Sequence, residues 1–385
     1  MKGFQLSNNL SLLKNQGLYR QRLIIQSAQG VRPIIDGKQI LSFCSNDYLG
    51  LANHPKIKQA LIDGVNRWGV GSGSAHLVNG HSEAHHELEL ALAEFTGRDR
   101  ALLFSTGYMA NLAVVTALMS RHDQIYHDKL NHASLIDAVK LSGANSSRYR
   151  HLDYDQLQQL MLKNNSEHRQ LVISDGVFSM DGDVADMNRI ASICQENQAW
   201  YLVDDAHGFG VLGETGAGLL QQQGLDQLQA PILMATLGKA IGTSGAFVAG
   251  SEDLIETLIQ SARPYIYTTA MPPALAVASL QSLNLVRQES WRREKLQLLI
   301  FELKKQLSSL DIELMPSDSP IQPLLIGDNK RALKISQHLC EVGILVTAIR
   351  PPTVAEGTAR LRITLSTEHE LDDINQLVLA IKKII

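Results

Sequence analysis

One lysine directly follows a predicted buried strand and is the first candidate for chemistry. Lys239 comes after the apolar run at residues 232–236 and before the small residues 242–245. Partial desolvation lowers the pKa of a lysine amine, and the neutral amine is the nucleophile that forms an imine with an aldehyde. Most lysines are exposed, so Lys239 taken alone also fits an ordinary surface loop. The neighbouring motifs favour the chemical interpretation.

A carboxylate and an imidazole stand at the end of a second apolar run. Asp204 ends the run at residues 200–204, and His207 follows three residues later. Such a carboxylate can keep a pyridinium nitrogen protonated, as the aldehyde cofactor pyridoxal phosphate needs, and His207 would reach the phenolic oxygen. The Asp-Asp-x-His pattern also fits a metal site. We expect no metal, because we find no second cluster of His and Glu at helical spacing to complete the ligands.

Further segments carry candidate cofactor contacts. Residues 103–111 (LFSTGYMAN) pass from a strand through Ser-Thr-Gly into a helix, whose first N–H groups and dipole suit a phosphate. The same joint fits a plain helix cap. His132 fits stacking on a flat cofactor ring as well as burial in an apolar face. Gly71 and Gly73 begin a partial dinucleotide fingerprint, but His76 occupies its third glycine position, so nicotinamide binding is not expected.

Short strands alternate with helices between residues 98 and 250, and these elements must position the candidate residues. The apolar runs lack the polar alternation of a half-exposed sheet, which predicts a mainly parallel, buried sheet covered by helices. Ligands of such sheets bind beyond the carboxyl ends of the strands, where we expect the site. The predicted strands comprise residues 101–104, 171–174, 200–204 and 232–236, and an amphipathic helix over residues 88–95 stops at Gly97.

The segment over residues 286–385 lacks the regular alternation of buried strands and helices seen between residues 98 and 250. A charged helix begins near Trp291, and short strands follow near residues 321–326 and 361–364. These features predict a smaller α+β domain. The predicted division is an N-terminal segment over residues 1–45, a large cofactor-binding domain over 46–285 and a small C-terminal domain over 286–385.

Composition excludes several classes of protein. The 385 residues carry 35 Lys and Arg against 39 Asp and Glu, a net charge of -4, which gives no basic excess for nucleic acid or an anionic membrane surface. The three cysteines stand far apart, which argues against a disulfide framework or a Cys-rich zinc site. We find no secretion signal and no apolar membrane span, so a cytoplasmic location is expected.

Together these motifs resemble the pyridoxal-phosphate-dependent α-oxoamine synthases, which have the type I, aspartate-aminotransferase-like fold. That α/β fold combines a large, mainly parallel sheet domain with a smaller C-terminal α+β domain. The resemblance covers nearly the whole chain in family order and rests on residues 45–51 (SNDYLGL), 131–134 (NHAS), 176–182 (GVFSMDG), 203–208 (VDDAHG) and 236–239 (TLGK).

A second group of segments resembles one branch of the family. The segments are residues 348–354 (AIRPPTV), 357–362 (GTARLR) and 327–329 (GDN). This resemblance implies a transferase that joins L-alanine to a pimeloyl thioester, carried on acyl carrier protein or coenzyme A, in biotin biosynthesis. Sister enzymes that use glycine with acetyl-CoA or succinyl-CoA, or serine with a long-chain acyl-CoA, share the cofactor residues. A non-catalytic regulator is a further alternative, but we find no DNA-binding module.

The resemblance also implies a role for individual residues in a homodimer whose sites straddle the interface. Lys239 forms the Schiff base, Asp204 pairs with the pyridinium nitrogen and His207 meets the phenolic oxygen. His132 stacks on the ring, and these four residues are the catalytic candidates. Other cofactor-binding residues are Gly107, Tyr108, Ser179 and Thr236, with Thr269 reaching the phosphate of the neighbouring subunit. Substrate-binding candidates are Arg20, Asn46, His132, Thr353 and Arg362.

Arg360, Arg362 and Asp175 carry charges within these motifs. A guanidinium such as that of Arg362 suits a bidentate grip on the carboxylate of an amino acid. Arg360 and Arg362 share one face of an alternating strand, so either also fits a charge on an edge strand. Many relatives have Glu directly before Gly-Val-Phe-Ser-Met, where this chain has Asp175. The shorter side chain puts a direct carboxylate contact to cofactor or substrate in doubt.

Overall fold

The computed structural model describes residues 4–16, 18–163, 168–310 and 312–384. Its strands are β1 (Ile34–Ile35), β2 (Lys38–Gln39), β3 (Leu41–Ser42), β4 (Arg100–Phe104), β5 (Gln124–Asp128), β6 (Asn145–Tyr149), β7 (Gln170–Asp175), β8 (Trp200–Asp204), β9 (Ile232–Thr236), β10 (Ala246–Gly250), β11 (Ile321–Gly327), β12 (Ile344–Leu345), β13 (Thr347–Ile349) and β14 (Ala359–Thr364).

The described residues also form helices before, between and after these strands. They are α1 (Leu6–Asn15), α2 (Pro55–Trp68), α3 (Glu83–Thr96), α4 (Gly107–Leu118), α5 (Ala133–Ser142), α6 (Tyr154–Lys163), α7 (Met187–Glu196), α8 (Leu219–Gln222), α9 (Glu252–Ser261), α10 (Arg263–Ile266), α11 (Pro273–Gln288), α12 (Trp291–Leu307), α13 (Asn329–Glu341) and α14 (Leu371–Ile384), with a π-helical turn over His76–Gly80.

The largest sheet described has seven strands in the order β4-β10-β9-β8-β7-β5-β6. The pairs from β9 to β6 are parallel, and β10 runs antiparallel to both of its neighbours, β4 and β9. The four strands predicted here are confirmed as β4, β7, β8 and β9, each to within one residue at either end. The mainly parallel sheet expected from the apolar runs is therefore present.

Both faces of this sheet are buried, which explains the absence of polar alternation in its strands. In β4, Leu102 and Phe104 pack into one apolar cluster, while Leu103 faces a second cluster on the opposite side. Helices α4, α5 and α9 contribute to the first cluster. A parallel sheet covered on both faces favours apolar residues at successive positions.

A three-stranded antiparallel sheet, β11-β14-β13, forms the centre of the C-terminal part. Because β14 is the central strand, the interpretation of Arg360 or Arg362 as an edge-strand charge is wrong. Both side chains are buried. Arg360 forms an ion pair with Asp181 of the large domain, so the two basic residues face the interior of the molecule.

Further helices predicted from the sequence are also present. The helix ending at Gly97 is α3, and Gly97 adopts the left-handed conformation, with φ of 64°, that a glycine C-cap provides. The charged helix near Trp291 is α12, which has 17 residues. Among the described residues, every helix is too short or too polar to cross a lipid bilayer.

The N-terminal segment is joined to the C-terminal part by a short pair of strands. β3 pairs with β12 in parallel, with Leu41 opposite Ile344 and Ser42 opposite Leu345. One apolar cluster extends from Leu41 to Ile381 and includes residues of both sheets. The proposed domain limits at 45/46 and 285/286 stay a prediction.

Candidate active site

The carboxyl ends of β7, β8 and β9 border a cavity of about 180 Å³. Its lining residues are Gly107, Tyr108, Asn111, His132, Ser134, Asp175, Asp204, Ala206, His207, Met234, Thr236 and Lys239. Seven of the predicted cofactor-binding residues therefore meet at one edge of the sheet. A larger surface groove of about 720 Å³, lined by residues that include Glu214 and Arg293, contains none of them.

Lys239 extends into this cavity from the loop after β9. Burial lowers the pKa of its amine from 10.5 to about 8, although the nearby Asp204 and Asp175 carboxylates oppose the shift. A substantial fraction of the amine is therefore neutral near pH 8. The neutral amine is the form that attacks a carbonyl and accepts a proton.

Asp204 ends β8 and is held by two donors. Its Oδ2 accepts a hydrogen bond from Asn111 Nδ2 at 2.8 Å, and its Oδ1 accepts one from the Ala206 N–H at 3.1 Å. Asn111 Nδ2 also donates to Ser134 Oγ at 2.8 Å. These bonds fix the direction of the Asp204 carboxylate at the cavity wall.

His207 forms a close pair with Tyr48. The Tyr48 hydroxyl lies 2.6 Å from His207 Nδ1, and both side chains are buried. Burial lowers the pKa of His207 well below 6.5, with Lys239 and Arg362 adding to the effect. Burial also raises the pKa of Tyr48 to about 12. A neutral imidazole and a neutral phenol thus share this hydrogen bond at the cavity.

His132 precedes α5 and caps it. Its Nδ1 accepts the Ser134 N–H at 3.3 Å and lies 2.8 Å from Ser134 Oγ. Its backbone N–H donates to Asp175 Oδ2 at 2.6 Å. Burial and the neighbouring Asp204 raise the pKa of Asp175 well above its ordinary value. Asp175 thus lines the cavity while it holds the backbone of His132.

The N terminus of α4 also lies at the cavity. Thr106 caps this helix by accepting the Met109 N–H at 3.2 Å, and Gly107 and Tyr108 form its first turn. The first N–H groups of an α-helix have no partner within the helix and favour an anion. The strand-turn-helix joint is both a helix cap and a suitable phosphate seat.

Thr236 has a structural connection to the lysine loop. Its hydroxyl donates to the Gly245 carbonyl at 2.9 Å and accepts the Gly238 N–H at 3.2 Å. These two bonds close the loop that carries Lys239 while leaving Thr236 on the cavity wall.

Comparisons with known proteins agree on one family. The model of the class I and II aminotransferases matches residues 38–381. The 8-amino-7-oxononanoate synthase of Pseudomonas savastanoi pv. phaseolicola is 56% identical over 380 residues, covering 99% of this chain and 96% of that protein. The protein of the same name from Thioalkalivibrio sulfidiphilus is 56% identical over 378 residues, covering 98% and 96%. The chain belongs to the 8-amino-7-oxononanoate synthase family.

Solved structures support the same fold. A structure of SPT with PLP internal aldimine matches with a TM-score of 0.94 and 28% identity, covering 99% of this chain and 96% of that chain. The 8-amino-7-oxononanoate synthase of Francisella tularensis matches with a TM-score of 0.79 and 34% identity, covering 89% and 97%. The fold and family predicted from the sequence are confirmed, and the enzyme depends on pyridoxal phosphate.

The donor set of the cavity fits this family's cofactor. Lys239 would provide an amine for its aldehyde, and Asp204 a carboxylate for its ring nitrogen. His207 would provide an imidazole for its phenolic oxygen, and the N terminus of α4 would suit its phosphate. Four chemically different groups of the cofactor thus have a matching partner on one small cavity.

Arg362 lies beside the cofactor cavity and connects three segments of the chain. Its guanidinium donates to the Ser179 carbonyl at 2.6 Å, Thr364 Oγ1 at 2.9 Å and Asn46 Oδ1 at 3.2 Å. The structure therefore brings together Arg362, Asn46 and Ser179 from the predicted set. Ser179 takes part through its backbone oxygen and does not line the cofactor cavity.

Arg20 and Thr353 line a separate cavity of about 360 Å³. Its walls come from residues 18–21 and 347–353, and both Arg20 and Thr353 are exposed. Thr269 also lies away from the cofactor cavity. It pairs with Ala75 in an isolated β-bridge. The structure thus places Arg20, Thr353 and Thr269 outside the cofactor cavity, whereas His132, also a predicted substrate contact, lines it.

Three residues that hydrogen-bond within this network were not among the predicted site residues, namely Tyr48, Asn111 and Ser134. All three belong to segments singled out in the sequence, but their partners lie far away in the chain. Asn111 offers one usable signal, since it is a polar residue within the apolar helix α4. A cluster of His and Glu side chains does lie at residues 76–89, but it is outside the cofactor cavity and does not complete the ligands of the Asp-Asp-x-His motif.

Proposed function

We propose that this chain condenses L-alanine with a pimeloyl thioester to give 8-amino-7-oxononanoate, carbon dioxide and the free thiol. The observation that carries the proposal is the meeting of Lys239, Asp204, His207 and His132 on one cavity. The choice of substrates rests on relatives at 56% identity that are named for this product.

Pyridoxal phosphate, when bound, supplies an aldehyde that captures the amino group of alanine and a ring that takes up the electrons of a broken Cα bond. Lys239 then acts as the general base that removes the Cα proton. Its pKa of about 8 suits this step, because the amine accepts a proton readily and also returns it near neutral pH.

Asp204 holds the proton at the ring nitrogen of the cofactor. The Asn111 and Ala206 bonds at 2.8 and 3.1 Å keep its carboxylate in one orientation, so little reorganisation accompanies the reaction. His207, fixed by Tyr48, presents a neutral imidazole to the phenolic oxygen.

His132 is the donor we assign to the acyl-transfer step. Ser134 Oγ receives a hydrogen bond from Asn111, which leaves the Ser134 hydroxyl proton for His132 Nδ1. In a neutral imidazole that accepts at Nδ1, the proton is on Nε2. His132 Nε2–H is thus available to the thioester carbonyl when the carbon–carbon bond forms.

Arg362 and Asn46 orient the amino-acid carboxylate. A grip on the carboxylate by these two side chains would fix the rotation of the amino acid in the site and so select which bond at Cα is broken. Arg362 is itself fixed by Ser179 and Thr364, so its guanidinium is already positioned before alanine binds. The same carboxylate leaves as carbon dioxide after the acyl group has been added.

We assign the acyl donor to the cavity lined by Arg20 and Thr353, called the outer cavity below. Arg20 and Thr353 lie on its wall, where the pantetheine arm of coenzyme A or of an acyl carrier protein would pass. A homodimer with Thr269 at the phosphate of the neighbouring subunit, and a cytoplasmic location, complete the proposal.

The direct test is thiol release from matched substrate pairs. Purified enzyme loaded with cofactor is incubated with alanine and pimeloyl-CoA, glycine and acetyl-CoA, glycine and succinyl-CoA, or serine and palmitoyl-CoA. Pimeloyl-acyl carrier protein replaces pimeloyl-CoA in a parallel reaction. We expect thiol release and 8-amino-7-oxononanoate, identified by mass spectrometry, only from alanine with a pimeloyl donor. Faster turnover of another pair would assign the chain to a sister reaction.

A further inference from the structure

Four histidines and one glutamate cluster around the start of α3. They are His76, His81, His85, His86 and Glu89, and none of them lines the cofactor cavity. His76 begins the π-helical turn His76–Gly80, and His81 follows it directly. The turn brings two imidazoles next to the helix that carries the other three side chains.

His81, His86 and Glu89 form a convergent set of possible metal ligands. Their ligand atoms all lie within 4.8 Å of one another, and His81 Nε2 is 4.0 Å from Glu89 Oε2. His86 and Glu89 are three residues apart on α3 and so share one face of the helix. Two ligands of tetrahedral zinc lie roughly 3.3 to 3.5 Å apart when each bond is about 2.0 to 2.1 Å. Small side-chain rotations would close the set around one ion.

Contacts behind Glu89 and His81 restrict the orientation of these two side chains. Glu89 Oε1 accepts the Leu103 N–H at 3.0 Å, while Oε2 faces His81. His81 Nδ1 lies 2.9 Å from His76 Nδ1. A proton on His81 Nδ1 would be shared with His76 and would leave the lone pair of His81 Nε2 for an ion. Metal-bound histidines commonly use their second nitrogen in this way.

The His85 ring is held by hydrogen bonds to residues outside the ligand set. Its Nδ1 accepts the Ser82 N–H at 3.0 Å, and its Nε2 lies 2.7 Å from the Met271 carbonyl oxygen. Both ring nitrogens are thereby occupied. The His85 ring stacks against His81 with 5.6 Å between ring centroids. We therefore leave His85 out of the ligand set.

We propose that His81, His86 and Glu89 bind Zn²⁺, with water in the fourth position and His76 as a positioning residue. Two imidazoles and one carboxylate suit zinc, whereas Mg²⁺ and Ca²⁺ prefer oxygen ligands only. His81 and His86 are exposed, so an ion can enter from solvent and keep a bound water. The ion would tie the π-helical turn to α3, close to the bridge between Ala75 and Thr269.

The test is a zinc titration of the cofactor-loaded enzyme without an affinity tag, after chelator treatment, in competition with a chromophoric chelator. We expect one Zn²⁺ per chain. The His86→Ala and Glu89→Gln variants should each lose at least tenfold in affinity, and His76→Ala roughly tenfold. Co²⁺ in place of zinc should give the visible absorption bands of a tetrahedral site in the wild type but not in His86→Ala.

The matched control is His122→Ala. His122 is exposed and lies near a second imidazole, that of His168, with 6.0 Å between ring centroids. This variant should bind zinc like the wild type. Because His86 is exposed, its replacement should leave the fold and the turnover without zinc unchanged. Failure to bind zinc, or equal affinity in His86→Ala and the wild type, would overturn the proposal.

Discussion

The cofactor cavity and the outer cavity differ in how their side chains are held. In the cofactor cavity, Asp204 and His207 are buried, and each has a side-chain hydrogen bond of 2.8 Å or shorter. In the outer cavity, Arg20 and Thr353 are exposed, and neither side chain has a hydrogen bond within the described part of the chain. The first region is rigidly preorganised, and the second is left adaptable.

This difference suggests that the cofactor cavity carries out the reaction, whereas the outer cavity contributes to the choice of substrate. A preorganised polar site stabilises developing charge without reorganising during the reaction. An exposed wall contributes binding contacts that change little between ground state and transition state. We therefore expect changes in the inner region to lower kcat and changes in the outer region to raise KM.

The largest effect should come from Lys239→Ala. Removing both the covalent attachment point and the general base should lower kcat by roughly four orders of magnitude. Borohydride reduction of the wild type followed by peptide mass mapping should locate the cofactor on Lys239 and on no residue of the variant. Cofactor trapped on another lysine would contradict the assigned role of this side chain.

Asp204→Asn should retain the cofactor but lose most of the proton chemistry. The amide no longer favours a protonated ring nitrogen, so we expect the exchange of the alanine Cα proton in deuterated water to slow on the order of 10³-fold. The exchange is measured by NMR, with cofactor content checked by absorbance. An exchange rate like that of the wild type would remove Asp204 from the electron-sink mechanism.

Asn111→Ala tests whether the inner network acts as a unit. It removes one hydrogen bond to the Asp204 carboxylate and one to Ser134, which should lower kcat roughly 10- to 100-fold with little change in KM. The control is Thr116→Ala on the same helix, whose hydroxyl bonds only to the Leu112 carbonyl. A purely structural effect would instead lower the thermal stability of both variants alike.

The smallest effect should come from Arg20→Ala. We expect KM for the pimeloyl thioester to rise about 3- to 10-fold while kcat and KM for alanine stay unchanged. Arg22→Ala is the matched control, because Arg22 is exposed nearby but does not line the outer cavity. A fall in kcat for Arg20→Ala would erase the distinction between the two cavities.

Much of the fold could be predicted from the sequence, because buried parallel strands appear there as continuous apolar runs. The runs that became β7, β8 and β9 also located the candidate site, since Asp175, Asp204 and Lys239 lie at or just after their carboxyl ends. Strands β5 and β6 were not predicted. β6 has an exposed, polar sequence at the edge of the sheet, and β5 carries Gln124 and His127 among its buried residues.

The hydrogen-bond partners in the site could not be predicted from the sequence, because these residues are close in space but far apart in the chain. Tyr48 and His207 are 159 residues apart in the chain, and Asn111 and Asp204 are 93 apart. No local pattern pairs such residues. The sequence pattern did not indicate the histidine cluster for a related reason. His81 lies before the start of α3, so the ligand spacing follows a helix only from His86 to Glu89.

The position of Arg362 has a consequence for how the molecule is made. Its guanidinium joins Asn46 to Ser179. The strand β3, which precedes Asn46 in the chain, pairs with the distant strand β12. These contacts of Arg362 span 183 and 316 residues of the chain, and pairing over such sequence separations slows folding. A nascent polypeptide that stops before β14 would carry Lys239 and Asp204 yet lack its grip on the amino acid.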